Sequence, residues 1–420
     1  MKVLILTHGT RGDVQPYAAL AVALKREGHD PVLAGPAASA PLAASHALTY
    51  MPLDDGPNKL IDDPRIRRAI ENNYRGLRGK LTALDVIRAS KPLMAKVLDD
   101  MATAAEGGAD LVVHAAGMPG QHFAEALGVP SVPVALQPVW VPTAAFGNPM
   151  LPIPLPRALN RASYQPIKLL LRSFSGIADK IRKNRLGLPR RSGRHDILHQ
   201  PDGTPSTVLQ AFSRHVLPAA LDYPAHVHTT GFWYLPAPPD WTPPARLAAF
   251  LDAGEPPVYI GFGSMAGNDP RRVGSIVTEA VGRAGVRAVL VSGWGGMAAE
   301  HLPDHIMLLD QVPHDQLFPR TAAVVHHGGG GTTGAALAAG RPQVVCPFVA
   351  DQPFWAQRMH AAGVAPPPLP QRRLTATGLA EAIRRATTDT TMNDAATTLA
   401  DRIRAEDGVR TAVKILETLA

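Results

Sequence analysis

Four short segments of this 420-residue chain combine residue types that could do chemistry. The first is Thr7-His8-Gly9-Thr10-Arg11-Gly12-Asp13-Val14-Gln15-Pro16, where two glycines allow a tight turn and either His8 or Asp13 can present a base. In the second, Gly261-Phe262-Gly263-Ser264-Met265-Ala266-Gly267, backbone amides freed by glycine and the Ser264 hydroxyl could meet a phosphate. The third, His326-His327-Gly328-Gly329-Gly330-Gly331-Thr332-Thr333-Gly334, strips side chains from the start of a helix, where free N–H groups and the positive dipole end favour an anion. A pyrophosphate suits that position, and His327 can donate to one of its oxygens. The fourth is Pro347-Phe348-Val349-Ala350-Asp351-Gln352-Pro353-Phe354-Trp355. A carboxylate beside an amide suits a polyol, because Asp351 accepts from hydroxyls and Gln352 both donates and accepts.

Each pattern also has a plainer reading. Asp13 can be a helix cap or turn residue, His8 a strand-end histidine satisfied by backbone, and Asp351-Gln352-Pro353 an ordinary turn. A glycine-rich linker is a poor account of the third segment, which lies between a buried strand and a helix. Two familiar phosphate motifs are excluded. The first loop lacks the third glycine and the later acid of the dinucleotide fingerprint, and no Gly-Lys-Ser/Thr follows the four glycines. No donor loop has a carboxylate pair at metal-ligand spacing, so no metal and no cofactor is expected.

The elements that must position these loops repeat a βαβ punctuation. Short apolar runs at Lys2–His8, Pro31–Gly35, Leu111–Ala115 and Ser131–Leu136 alternate with amphipathic stretches such as Tyr17–Glu27 and Gly120–Leu127. Val208–Ala211 and Val227–Phe232 follow, then a proline-dense linker from Tyr234 to Pro244. The pattern restarts with Pro257–Gly261, Ala288–Ser292, Ile306–Val312, Ala322–His327 and Gln343–Pro347. Nearly continuous apolar strands are those of parallel sheets covered on both faces. The expected fold is therefore α/β, with two doubly wound Rossmann-like domains facing a central cleft, where ligands meet the carboxyl ends of the strands. The expected bounds are 1–235, 236–392 and a closing helical segment, 393–420, able to pack on either domain.

Composition sets limits. Hydrophobic residues make up 45% and charged residues 18%, which suits a packed core, and the length suits two domains at roughly 100 to 200 residues each. A lone cysteine, Cys346, rules out an internal disulfide and a cysteine-based zinc site. A reducing cytoplasm is the expected compartment, with no export signal in the first residues and no apolar run near the about 20 residues of a spanning helix. The net charge of +7 is concentrated. Between Arg157 and Arg194 stand eleven Lys or Arg against the single acid Asp179. With no interleaved aromatics beyond Tyr164 and Phe174 and no nucleic-acid motif, that segment points away from nucleic acid and toward a solvated or membrane-facing surface.

The stretch from His327 through Gln352 resembles the donor-binding signature of the inverting UDP-glycosyltransferase superfamily of GT-B fold. The first and fourth segments are similar to its sterol glucosyltransferase branch and to the glycosyltransferases of glycopeptide antibiotics. The resemblance implies a nucleotide in the second domain, an acceptor mostly in the first, and a closing helix returning to the first. It implies that His327 contacts the diphosphate, that Gly329, Gly331 and Thr332 line the same turn, that Ser264 meets the phosphates from the other side, and that Asp351 and Gln352 hold the sugar. Asp13 stands two residues before Gln15-Pro16, where many relatives place a catalytic histidine, with Thr10 and Arg11 as candidates to orient it. His8 is the alternative base. Where relatives carry a tryptophan to stack the nucleobase, this chain has Gln311-Val312-Pro313-His314, leaving Gln311, Val312, Trp294 and Phe262 as candidates.

The reaction so implied is a single inverting displacement, forming a β-glycoside from an α-linked UDP-hexose and a hydroxyl of a lipophilic acceptor such as a sterol, triterpenoid or polyketide. Peripheral contact between 157–194 and an anionic membrane is a further expectation, since Ile167–Phe174 is basic and amphipathic. A nucleotide-sugar epimerase, a lipid-linked cell-wall glycosyltransferase and a non-catalytic partner protein are the competing readings.

Overall fold

The structure, a computed structural model, describes residues 1–60, 63–71, 76–151, 155–190, 196–263, 269–292 and 302–419. The first sheet holds β1 (Lys2–Leu6), β2 (Asp30–Pro36), β3 (Thr49–Leu53), β4 (Leu111–Ala115), β5 (Ser131–Ala135), β6 (Val208–Gln210) and β7 (Val227–Thr229). The second holds β8 (Val258–Gly261), β9 (Ala288–Val291), β10 (Ile306–Leu309), β11 (Ala323–His326) and β12 (Gln343–Val345). Their orders are β3-β2-β1-β4-β5-β6-β7 and β10-β9-β8-β11-β12, and every strand pairing is parallel. Both units are thus doubly wound, with crossover direction reversing between β1 and β4 and between β8 and β11.

The strands are apolar along their length because each face is buried. On β1, Val3 and Ile5 join the core formed with Tyr17, Leu20 and Leu24 of the helix Arg11–Arg26, whereas Leu4 and Leu6 join Val97, Leu98 and Met101 of the long helix Gly76–Ala105. The second sheet repeats this alternation. Val258, Ile260 and Phe262 face one core, and Tyr259 the other. Phe262 is 1% exposed, so it packs as core and offers no stacking face to a nucleobase.

Strand β3 has no counterpart in the sequence reading. It is an edge strand whose Thr49-Tyr50-Met51-Pro52-Leu53 mixes exposed and buried positions, and its proline is tolerated only because one side is unpaired.

The chain divides into one compact unit of Met1–Arg214, Pro218–Leu235 and Glu406–Ala420, and another of His215–Leu217 and Pro236–Ala405. The closing segment 393–420 is therefore not one helix. Thr390–Glu406 belongs to the second unit up to Ala405, and a break at Asp407, with φ of 42°, starts Gly408–Glu417, which puts Ala412, Val413 and Leu416 into the first core.

The basic segment is also corrected. Acids from elsewhere pair with much of it: Arg161 with Asp222, Lys168 with Asp196, Arg182 with Glu125, and Arg185 with Asp99 and Glu106. Arg190 pairs with Asp179 inside it. Arg182 is 1% exposed and grips Glu125 with two hydrogen bonds, so it is part of the interior. Arg157, Arg172, Lys180 and Lys183 have no ion-pair partner among the described residues, and Arg191 and Arg194 lie outside them. On the helix Gln165–Arg172, Leu169 is 61% and Leu170 44% exposed.

The start of the final helix is steric. A Cβ on Gly408 would lie 2.7 Å from the carbonyl carbon and oxygen of Gly231 and from the Phe232 oxygen. Backbone on backbone cannot yield as a side chain can. Gly408→Ala should therefore lower stability by about 1–3 kcal/mol, read as an earlier urea midpoint, and an unchanged midpoint would show slack at this crossing.

Candidate functional site

Strand pairing brings the donor-side loops to one edge. In the second sheet β8, β11 and β12 are neighbours in register, with His326 paired to Gly261 and to Val345, so the segments leaving their carboxyl ends emerge side by side. They touch. A Cβ on Gly263 would lie 3.3 Å from the His327 ring, and one on Gly328 would lie 2.9 Å from Val345 Cγ1 and 3.1 Å from the Gln352 carbonyl oxygen. Gly328 has φ of +90°, so glycine is required there both by conformation and by space. Ser264 and Trp294, expected at the phosphates and the nucleobase, lie outside the described residues.

The four glycines open a helix as the sequence implies. Gly329 is the N-cap of Gly330–Ala338 and provides no side-chain cap, so the N–H groups of Gly330, Gly331 and Thr332 lack intrahelical acceptors. Beside them His327 Nδ1 is buried without a hydrogen-bond partner among the described residues. Burial lowers the ring's pKa to about 4, so it is neutral near pH 7. The neutral ring can supply a hydrogen bond, and the positive potential comes from the helix end. Its neighbour His326 differs. It is fully buried, with Nδ1 accepting from the Gly328 N–H at 3.0 Å and Nε2 against Gln343 Oε1 at 2.8 Å.

The sugar-side pair is partly occupied. Asp351 is the N-cap of Gln352–Ala361, and its Oδ2 accepts from the indole N–H of buried Trp355 at 2.8 Å. Gln352 Oε1 accepts from the Phe348 and Val349 N–H groups at 2.7 and 3.1 Å, closing a turn that holds Ala350 at φ of 57°. Gln352 can therefore donate to a hydroxyl through its NH2, while its acceptor serves the turn. Gln311 is exposed and Val312 packs against the core of Leu317 and Phe318, so neither presents an aromatic platform.

In the first unit Asp13 is the third residue of the helix Arg11–Arg26. Its Oδ2 accepts from the Thr10 N–H at 2.8 Å and the Thr10 hydroxyl at 3.0 Å. Asp13 is thus not the N-cap, which is Thr10, but the N3 partner of a capping box, and both bonds fall on one of its oxygens. Burial raises the Asp13 pKa, against the pull of Thr10 and His8. Gly9, at φ of +135°, is packed so closely that a Cβ would sit 2.5 Å from Asp13 Oδ2. His8 Nε2 lies 2.9 Å from the Asp54 carbonyl, the backbone-satisfied arrangement. Arg11 Nε donates to Gln15 Oε1 at 3.2 Å.

Several contributors had no readable local signal. Asn58 holds the Gly9 carbonyl, Asp54 holds His8, and Gln343 holds His326, each across a large sequence separation. On β4, adjoining β1, His114 Nε2 is buried and unpartnered among the described residues, and burial lowers that ring to about 4.

A Cβ on Gly329 would stand 2.5 Å from His327 Nε2 and displace the ring. Gly329→Ala is expected to weaken UDP binding by about tenfold or more, the loss of one charged hydrogen bond. Titration calorimetry checks this, and undiminished affinity would place the ring away from the anion.

Comparison with known proteins agrees with this geometry. Residues 3–145 match the glycosyltransferase family 28 N-terminal domain, and residues 289–419 match the erythromycin biosynthesis protein CIII-like C-terminal domain. The chain is 34% identical over 424 residues to a sterol 3-beta-glucosyltransferase of Arabidopsis thaliana, covering 99% of this chain and 65% of that protein. It is 34% identical over 436 residues to a sterol 3-beta-glucosyltransferase of Emericella nidulans, covering 99% of this chain and 30% of that protein. It thus spans less than two thirds of the length of these relatives. Among solved structures it superposes on the glycosyltransferase VinC in complex with dTDP, with a TM-score of 0.68 and 19% identity over 100% of this chain and 99% of that one. The kitacinnamycin glycosyltransferase gives 0.70 and 18% over the same shares. The epimerase alternative finds no support in these matches. The chain has the GT-B fold, its N-terminal part matches a glycosyltransferase domain, and its alignments over 99% of its own length are to sterol glucosyltransferases.

Proposed function

We propose that this chain is an inverting glycosyltransferase that moves a hexose, glucose foremost, from a UDP-sugar to a hydroxyl of a lipophilic small molecule. The observation that carries this reading is the buried His327 Nδ1, without a partner among the described residues, beside a glycine helix start that has no side-chain cap, with Asp351 and Gln352 on the adjoining loop. That set fits a diphosphate continued by a polyol. The sterol glucosyltransferase relatives support a lipophilic hydroxyl as acceptor.

In the proposed step Asp13 takes the acceptor's hydroxyl proton and the oxygen attacks the anomeric carbon opposite UDP. The bond from that carbon to the diphosphate oxygen breaks, and its electron pair leaves with UDP. The amides of the 330–338 helix and His327 meet the charge that develops, with Ser264 as the further candidate donor. This arrangement calls for no metal and no cofactor, so the reaction should persist in EDTA. His8, anchored through Nε2, is the alternative base through Nδ1.

The decisive experiment is UDP release from UDP-glucose with and without sterol, triterpenoid and polyketide alcohols. Wild type should release UDP only with an acceptor. Asp13→Asn keeps an oxygen for the Thr10 cap, so it should retain the melting temperature while losing about 10²–10⁴-fold in kcat. Because burial raises the Asp13 pKa and the base must be ionised, the acid limb of kcat/KM should lie above the ordinary aspartate value of about 3.9 and vanish in the variant. Release surviving in Asp13→Asn would transfer the role to His8.

The same reading includes peripheral membrane contact through 157–194, supported by exposed Leu169 and Leu170 beside Arg172. Vesicles with anionic lipid should co-sediment wild type in a salt-sensitive way and lose Leu169→Glu/Leu170→Glu. No salt-sensitive binding by wild type would remove the membrane from the proposal.

A further inference from the structure

Two adjacent histidines stand at the end of β11 and just after it, and among the described residues only the second has a ring nitrogen without a partner. His327 Nδ1 has no partner among the described residues, whereas both nitrogens of His326 are engaged. Because Nδ1 accepts from the Gly328 N–H, the proton sits on Nε2, which donates to Gln343 Oε1. That amide continues through Nε2 to the Thr333 carbonyl at 3.4 Å and the Met359 sulfur at 3.5 Å. One polar path thus joins β11, the glycine turn, β12, the 330–338 helix and the 352–361 helix. Its end at Gly328 is the peptide between His327 and the helix amides, held at φ of +90°.

We infer that His326, held in its Nε2–H form by Gln343, is the positioning residue that aims the Gly328 peptide, and through it His327 and the first amides of the 330–338 helix, at the donor's diphosphate. It does not touch the ligand. Proton addition at Nδ1 would set two donors face to face at Gly328, and burial keeps the ring neutral by lowering its pKa to about 3. A purely space-filling ring would need none of these bonds, and an apolar side chain of similar size would serve as well.

The assignment of the ligand rests on the glycosyltransferase reading, so the test pairs a ligand-free measurement with a binding one. In the full chain, asparagine at 326 can accept from the N–H two residues on, as Asx turns do, and leucine cannot. His326→Asn should keep UDP affinity within about threefold of wild type, and His326→Leu should lose about tenfold or more, the usual cost of removing an outer partner from a ligating group. Amide exchange over 328–332 without ligand should quicken in His326→Leu and stay slow in His326→Asn. Should His326→Leu not fold, Gln343→Met loosens the same ring from β12 and should give the same direction in both readouts. Unchanged exchange and affinity in the leucine variant, or equal losses in leucine and asparagine, would overturn the positioning role. If wild type binds neither UDP nor TDP while exchange still separates the two variants, the positioning stands and the donor reading falls.

Discussion

Much of the second unit depends on a place where two backbones come too close for a side chain. Gly328 lies against Val345 and the backbone of Gln352, in a conformation that other residues adopt only under strain. That contact lets the segment after β11 turn sharply into a helix while resting on the segment after β12. The uncapped amides, the His327 ring and the Asp351-Gln352 turn are neighbours because of it. A methyl group there would meet Val345 and Gln352 and push the glycine turn away from the Asp351-Gln352 turn.

The electrostatics follow from burial. His326 and His327 are both neutral in the free protein, since a buried imidazolium without a counter-charge is costly. The positive potential at the glycine turn therefore comes from peptide dipoles, which are fixed by the fold. In the first unit burial acts on a carboxylate and raises Asp13, making it a better proton acceptor than an exposed aspartate. Thr10 opposes that shift through two hydrogen bonds, so the residue that orients Asp13 also keeps part of its charge stabilised. The cap ties Asp13 Oδ2 to the Thr10 N–H and hydroxyl, an arrangement compatible with the base proposed above.

The basic segment shows how far charge counting misleads without a fold. Five of the acids that pair with it come from other parts of the chain, and Arg182 is drawn inside by Glu125 and by the Pro189 carbonyl. What remains outward is a short helix with two exposed leucines and a few cations without an ion-pair partner among the described residues. Its character is more apolar than the sum of eleven cations suggests.

The sequence by itself determined the α/β class, the two doubly wound units and the loops that carry the chemistry. Those are local properties: runs of Val, Leu and Ile in strands buried on both faces, and four glycines between His327 and Thr332 where few alternatives to an anion-facing helix start exist. The tertiary structure alone decided which polar atoms remain for a ligand. The acceptor of Gln352 is taken by two backbone amides, Asp351 shares an oxygen with Trp355, and His326 is held by a glutamine on the next strand. It also decided that Phe262 is core, that Thr49–Leu53 forms an edge strand, and that the closing segment breaks at Asp407 to send its last helix into the first core. Hydrogen bonds and packing join residues far apart in the chain, and neither spacing nor periodicity encodes which partner a buried polar atom finds.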